Sequence, residues 1–266
     1  MNYGFYLSTA SAITGMRRLD TVANNLANST TVGFKADVLS MSARLPENIE
    51  NGGMYSDTNA ALDALGGGTL FNPTQIDLSQ GTLRKTGNPL DVALEGDGFF
   101  MLESPLSGAG ANKGAAANDK LLARAGAFSR DSRGRLVLAN SGVAVLGTNG
   151  KPIVIPADAA KVRIDARGNI FNDTDSIGQL AVVMPTDIAN LRKEGRDALR
   201  LIGGRTKDAP TETLVRQEHL EESTVDSVAA LAELVKVSRG IEFSTRLMQT
   251  QDQMTGRLID TFGRFS

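Results

Sequence analysis

Apolar and polar positions follow two different rhythms along this chain. Near the start, Thr9, Ile13, Met16, Leu19, Ala23 and Leu26 recur every three or four residues, as one stripe of a helix does. Near the end, Val228, Leu231, Val235, Ser238, Ile241, Met248, Met254 (or Thr255), Leu258 and Phe262 keep the same kind of spacing. The pattern predicts helices over residues 8–35 and 225–265. Gly33 stands where a C-terminal cap would, with Phe34 as its apolar contact. Ser223 or Thr224 can cap the second helix, with Asp226 near its positive end. Some 40 residues make a helix about 60 Å long, and a helix well beyond 25 residues points to coiled-coil-type assembly.

Between these ends the period drops to two. Leu90, Val92 and Leu94 alternate with polar or small residues, and Gly96-Asp-Gly98 turns the chain into 99–102. Asp131-Ser-Arg-Gly134 turns Phe128 into 136–138. Asn149-Gly150 reads as a hairpin turn between 143–146 and 153–155, and Arg167-Gly-Asn169 links 162–164 to Ile170-Phe171. Stretches 180–184, 199–202 and 214–220 supply further strands, and 187–193 a short helical turn. Two stretches have neither rhythm: 46–73, with Asn51-Gly-Gly53 and Gly66-Gly-Gly68, and 104–120, mostly Gly, Ala, Ser and Asn. Both read as long loops or disorder.

The expected fold class is therefore mixed α and β. Long N- and C-terminal helices pair as a coiled-coil-type stem, and a central antiparallel β-rich domain forms a sandwich or irregular barrel. The expected order is a helix within 1–40, a flexible linker over 41–74, a β-rich domain over 75–221 with a loop insertion at 104–120, and a helix within 222–266. Terminal helices that bracket a β core more often pack on each other, and on the same ends of other subunits, than on that core.

Composition narrows the function. Of 266 residues 41% are apolar, enough for a real core, while a formal charge of −2 gives no footprint for nucleic acid. The absence of cysteine removes disulfides and thiolate metal sites. The start has no basic region followed by an apolar run, so a cleaved secretory signal is not expected. The longest apolar runs are too short to cross a bilayer.

Catalytic chemistry is also absent. The single histidine, His219, lies in an alternating stretch that reads as an ordinary strand, and one histidine without cysteine makes a poor zinc site. Asp165-Ala-Arg-Gly-Asn169 lacks the ligand spacing of a calcium loop. Gly147-Thr-Asn-Gly-Lys151 lacks the spacing of a phosphate loop, and Pro152 follows where a helix should open. Glu221 and Glu222 stand where the last helix begins and read as solvated. No cofactor, metal or small-molecule substrate is implied.

Four blocks resemble a known family. Val22-Ala-Asn-Asn-Leu-Ala-Asn28, continuing to Thr31-Val-Gly-Phe-Lys35, is similar to the N-terminal motif of bacterial flagellar rod and hook proteins. Gly81-Thr-Leu83, Leu90-Asp-Val-Ala-Leu94 and Gly96-Asp-Gly-Phe-Phe100 resemble the opening of that family's β domain. Arg124-Ala-Gly-Ala-Phe128, Gly134-Arg-Leu136 and Val145-Leu-Gly147 through Gly150-Lys-Pro-Ile153 fit its next block. Ser223-Thr-Val225, Ile241-Glu-Phe243 and Asp252-Gln-Met254 resemble its C-terminal helix. The resemblance covers the whole chain.

It implies a structural subunit of the flagellar basal-body rod rather than an enzyme. The terminal helices would form the inner tube of the axis, the β domain its outer layer, and the polymer would carry motor torque for motility. Its partners would be copies of itself, other axial proteins, and the type III export apparatus that passes it uncleaved to the periplasm-spanning rod. Length suits a proximal or a distal rod protein, and the opening Asn2-Tyr-Gly-Phe-Tyr6, which departs from the usual distal-rod start, favours the proximal rod; a distal-rod or other hook–basal-body axial protein is the alternative. From a different class, a secreted β-rich enzyme or ligand-binding module also remains open. Within the family reading, Asn24, Asn25 and Asn28 would bond across packed helices, against the plainer reading of a fraying helix end. The expected assembly residues are Ile13, Leu19, Asn24, Asn25, Leu26, Asn28, Leu231, Val235, Ile241, Met248, Leu258 and Phe262.

Overall fold

The computed structural model describes residues 3–45, 68–104, 120–156, 162–173, 175–195 and 197–263, apart from the side chains of Tyr3 and Phe262. Most of the two glycine-rich stretches, 46–73 and 104–120, and the Phe262 side chain thus lie outside the described residues. The chain forms two compact units. One comprises Met1–Ala27, Asp37–Gln75 and Asp226–Ser266; the other comprises Asn28–Ala36 and Ile76–Val225.

The first unit holds both long helices, α1 (Tyr3–Ala27) and α2 (Ser227–Gly263). α1 stops at Ala27, well short of the predicted 35, and Gly33 caps no helix. The reason is local: a turn closes from the Thr31 amide onto the Asn28 carbonyl (3.1 Å). Asn25 meanwhile exchanges two hydrogen bonds with the backbone of Asp37, at 2.8 and 2.9 Å. Side-chain amides that bond nearby backbone compete with helix continuation. α2 is capped by Asp226 rather than Ser223 or Thr224. Its Oδ1 accepts from the amides of Val228 (2.9 Å) and Ala229 (3.2 Å). The strands of this unit include β1 (Asp37–Val38), β2 (Met41–Ala43) and β3 (Thr69–Phe71), and β2 pairs antiparallel with β3. Arg17 lies over the Phe71 ring, 4.8 Å from its centroid, and fastens α1 to that pair.

The second unit is antiparallel β structure. Its early strands are β4 (Gln75–Ile76, which it shares), β5 (Leu83–Lys85), β6 (Val92–Glu95), β7 (Phe99–Leu102), β8 (Lys120–Ala123), β9 (Phe128–Arg130) and β10 (Leu136–Leu138). Then come β11 (Val162–Ile164), β12 (Asn169–Asn172), β13 (Asp175–Gln179), β14 (Val182–Pro185), β15 (Leu191–Glu194), β16 (Ala198–Leu201), β17 (Thr206–Asp208), β18 (Leu214–Gln217) and β19 (His219–Glu221). A six-stranded sheet runs β15-β16-β8-β7-β14-β17. Alternation along it separates two cores: Phe100, Leu102, Leu121 and Ala123 join the larger one, while Phe99, Leu122, Leu199 and Leu201 form a smaller one.

The single strand expected over 214–220 is two strands. Glu218 takes φ of 60° between them, so β18 pairs with β6 and β19 pairs with β5. The Asn149-Gly150 turn is present, with the Gly147 amide bonded to the Lys151 carbonyl, but isolated bridges flank it instead of long strands. In the expected helical turn over 187–193, a single 3-10 turn (Ile188–Asn190) leads straight into β15.

Two hairpins, β9–β10 and β11–β12, are closed by the same device. Asp131 accepts from the amides of Arg133 (2.9 Å) and Arg135 (2.8 Å), and from the Arg135 side chain (2.8 Å). Asp165 accepts likewise from the amides of Arg167 (2.9 Å) and Asn169 (2.8 Å), and from the Asn169 side chain (2.8 Å). Gly134 and Gly168 supply the positive φ, 78° and 79°. Partial desolvation disfavours the Asp131 carboxylate, but the Arg135 side chain and the two amides outweigh it and hold it below the ordinary range. A lowered folded value means the turn stabilises above the unfolded carboxylate's pKa of about 4 and loses that contribution as pH falls through the folded value. Asp131→Ala should therefore melt below the wild type at pH 7, with the gap closing in melts taken at progressively lower pH below 4. A constant gap down to the acid limit would show that charge plays no part in the turn.

Candidate assembly surface on the paired helices

α1 and α2 run antiparallel within their unit. Thr9 donates to the Met248 sulfur (3.3 Å), Ser11 and Ser244 hydroxyls meet at 3.3 Å, and Arg18 pairs with Glu233. Between them Gly15 faces Ile241 so closely that a Cβ there would lie 2.7 Å from Ile241 Cγ1. Small residues bring the backbones together. Ser8, Ala12, Val237 and Ser244 are the buried positions of the two helices. Ser8 and Ser244 satisfy their hydroxyls on the carbonyls four residues back, at 2.9 and 3.0 Å, so they can be buried without orphaned polar atoms.

The seam keeps a regular 4-3 spacing: Ser8, Ala12, Gly15, Leu19, Val22 and Leu26 on α1, and Ala230, Leu234, Val237, Ile241, Ser244, Met248 and Gln251 on α2, each buried or half-buried. The helices were legible in the sequence; the faces were not. Both predicted stripes contain two successive steps of three, 13-16-19 and 235-238-241. Each such step falls short of a full turn by about 60°, so one apparent stripe is in fact two faces.

The expected assembly residues divide accordingly. Leu19, Leu26, Ile241 and Met248 are half-buried, with Ile241 and Met248 turned onto α1. Ile13, Leu231, Val235 and Leu258 instead point to solvent at 50%, 54%, 43% and 57% exposure. Phe5, Tyr6 and Met16 on α1, with Val228, Phe243, Leu247, Met254 and Ile259 on α2, extend this exposed apolar set. So many large apolar side chains on one helix pair exceed the scattered surface residues of an ordinary monomer.

Asn25 bonds Asp37, and Asn28 accepts from Thr31 Oγ1 (3.3 Å), so both organise the turn after α1. Asn24 is exposed.

The largest correction concerns Glu221, expected to be solvated. Its side chain is fully buried, with Oε1 on Lys35 Nζ (2.6 Å) and Oε2 on Arg124 Nε (2.5 Å). Arg124 also donates to the carbonyls of Gly98 (2.5 Å), Gly96 (2.7 Å) and Leu94 (3.1 Å). Burial pushes the Lys35 ammonium down, Glu221 offsets part of that, and Arg124 adds to it. Glu222 is exposed and pairs with Arg84. Gly33, the supposed helix cap, packs on the β unit: its φ is 67°, and a Cβ would lie 2.6 Å from the Ala125 Cα.

Among the described residues no cluster of His, Asp or Glu could hold a metal ion, and no helix is long and apolar enough to cross a membrane. His219 Nδ1 contacts the Gln217 carbonyl (2.7 Å) across the Glu218 break between β18 and β19.

Three family models match parts of the chain: the flagella basal body rod protein over residues 12–35, the D1 domain of the flagellar hook protein FlgE/F/G over 93–172, and the flagellar basal body rod FlgEFG protein C-terminal region over 216–261. Among similar proteins, the flagellar basal-body rod protein FlgF of Caulobacter vibrioides is 26% identical over the full length of both chains. The rod protein FlgG of Agrobacterium fabrum is 30% identical, covering 92% of this chain and 95% of its own. FlgG of Bacillus subtilis is 29% identical, covering 95% and 98%.

Proposed function

Since the chain belongs to the flagellar basal-body rod protein family, we propose that its exposed helical faces are the surfaces through which it polymerises. The protein is a structural subunit of the bacterial flagellar basal-body rod. The full-length likeness to rod proteins named FlgF supports the proximal-rod reading. The observation that carries the assembly mechanism is the division of labour on α1 and α2. The small-residue seam is satisfied within the chain, which leaves Ile13, Leu231, Val235 and Leu258 exposed among the described residues. Burying each such side chain between copies is worth about 1.5–3 kcal/mol. The 3.5-residue period of the seam favours a coiled-coil-type stem, which stiffens the helix pair. In this reading copies of the chain and other axial proteins stack through these faces, and the polymer carries motor torque across the periplasm without catalysing a reaction. Delivery by the type III export apparatus with the N-terminus retained completes the proposal.

The absence of native cysteine makes the test direct. Leu231→Cys and Leu258→Cys should cross-link copies of the chain, or the chain to a neighbouring axial protein, in intact basal bodies. Val237→Cys, inside the seam, should not. Assembled rods in which neither exposed position cross-links to any chain would remove this surface from the mechanism.

A further inference from the structure

The backbone passes between the two compact units at residues 27/28, 36/37, 75/76 and 225/226. Inside the β unit, the segments adjoining those passages converge on Glu221. From the first, the Gly33 amide donates to the Glu221 carbonyl (2.8 Å) and Lys35 Nζ to its carboxylate (2.6 Å). From the segment after residue 76, the Gly81 amide donates to Oε1 (2.9 Å), while Ser79 offers its carbonyl to Lys35 (2.6 Å). The exit to α2 is laced to the first segment: the Thr224 amide donates to the Phe34 carbonyl (3.1 Å), and the Ala36 amide to Thr224 Oγ1 (2.9 Å). Arg124 then fastens the other carboxylate oxygen to the carbonyls of Leu94, Gly96 and Gly98.

We propose that Glu221 is the mechanical clamp of the subunit, the point where force arriving along either helix is received by the β unit. The rod reading supplies the load; the clamp itself is a property of the β unit. One carboxylate holds two cations and one amide in a site without solvent, so pulling on residue 28 or residue 225 strains all of these bonds together. No water stands ready to replace any that breaks. Neutralising Glu221 leaves Lys35 and Arg124 buried without their carboxylate partner, whereas removing Lys35 alone leaves the Arg124 pair and the Gly81 bond intact. Truncations meant to remove only the N-terminal helix must accordingly end before Asn28, because residues 28–36 belong to the β unit.

The test is force spectroscopy on the full chain held by its two ends. After the helices extend, the wild-type β unit should open in one rupture. Glu221→Gln should open in two, with an early release of residues 28–36 and 222–225, and its first rupture at constant force should be at least about tenfold faster. Lys35→Met should show the same early release with a smaller acceleration. Hydrogen exchange without force should agree: the amides of Gly33, Gly81 and Thr224 exchange faster in Glu221→Gln, while those of Leu136 and Val145 do not. A single rupture at the wild-type rate, or acceleration spread evenly over the unit, would overturn the clamp. If Glu221→Gln does not fold, Lys35→Met alone decides: no early release in it overturns the proposal. These outcomes are independent of cross-linking between copies, so clamp and rod assembly can fail separately.

Discussion

Leu258→Asp should abolish motility and rod completion while leaving the purified chain as stable as the wild type. Leu258 is 57% exposed in the subunit, so the substitution touches no core, and surface changes of this kind stay within about 0.5 kcal/mol. In the assembled rod the same side chain would be buried at each contact between subunits. A carboxylate there carries an uncompensated desolvation cost of several kcal/mol per contact, and a polymer repeats that cost at every step. Ile241→Asp separates the two faces. It sits against Gly15 in the seam, so it should lower the helicity of the isolated chain as well as block assembly. Motility assays paired with circular dichroism and thermal melts of both variants check this. A Leu258→Asp chain that builds a normal rod would place the assembly surface elsewhere. One that melts many degrees early would mean the exposed face has a partner within its own chain.

The largest stability effect is expected from one methyl group. Gly126 lies where the backbones of two segments nearly touch: its carbonyl accepts from the Val92 amide at 2.9 Å. A Cβ would fall inside the Val92 carbonyl oxygen, 2.8 Å from its carbon and 3.2 Å from Phe100 Cε2. Neither neighbour can retreat, because Val92 and Phe100 are wholly buried in the larger core. Gly126→Ala should destabilise the β unit by about 3 kcal/mol or more, a drop of roughly 6–12 °C in Tm for a unit of this size. Gly178→Ala, where a Cβ meets nothing within 4 Å, should leave Tm nearly unchanged. Differential scanning calorimetry of the two variants decides it. Equal melting of both would mean the Val92–Gly126 contact relaxes freely.

The sites where sequence reading failed share a cause. Glu221 and Gly33 are far apart in the chain and bond to each other. Nothing in the local pattern around either marks that contact: a carboxylate next to a second carboxylate looks solvated, and a glycine after an apolar stripe looks like a cap. The signals that succeeded were local ones. The Asp131 and Gly134 turn follows from residues three apart, because the short Asp side chain reaches amides two and four positions on. That Asp165 and Gly168 repeat it was equally legible, but only the matching hydrogen bonds make the equivalence visible.

By itself the sequence determined the two terminal helices, the β character between them, the turns that punctuate it, and the family. Each of these rests on spacing or short motifs, and hydrogen-bonded helices and turns are settled by neighbours a few residues away. Only the tertiary structure decided which helix face turns inward. The difference between the seam and the exposed face is one residue of phase, and the choice depends on which small residues let two backbones approach. The buried charges of Lys35, Arg124 and Glu221 were decided there as well. A charge is driven into a core only when its partners arrive from distant segments, and those partners exist only once the chain has folded.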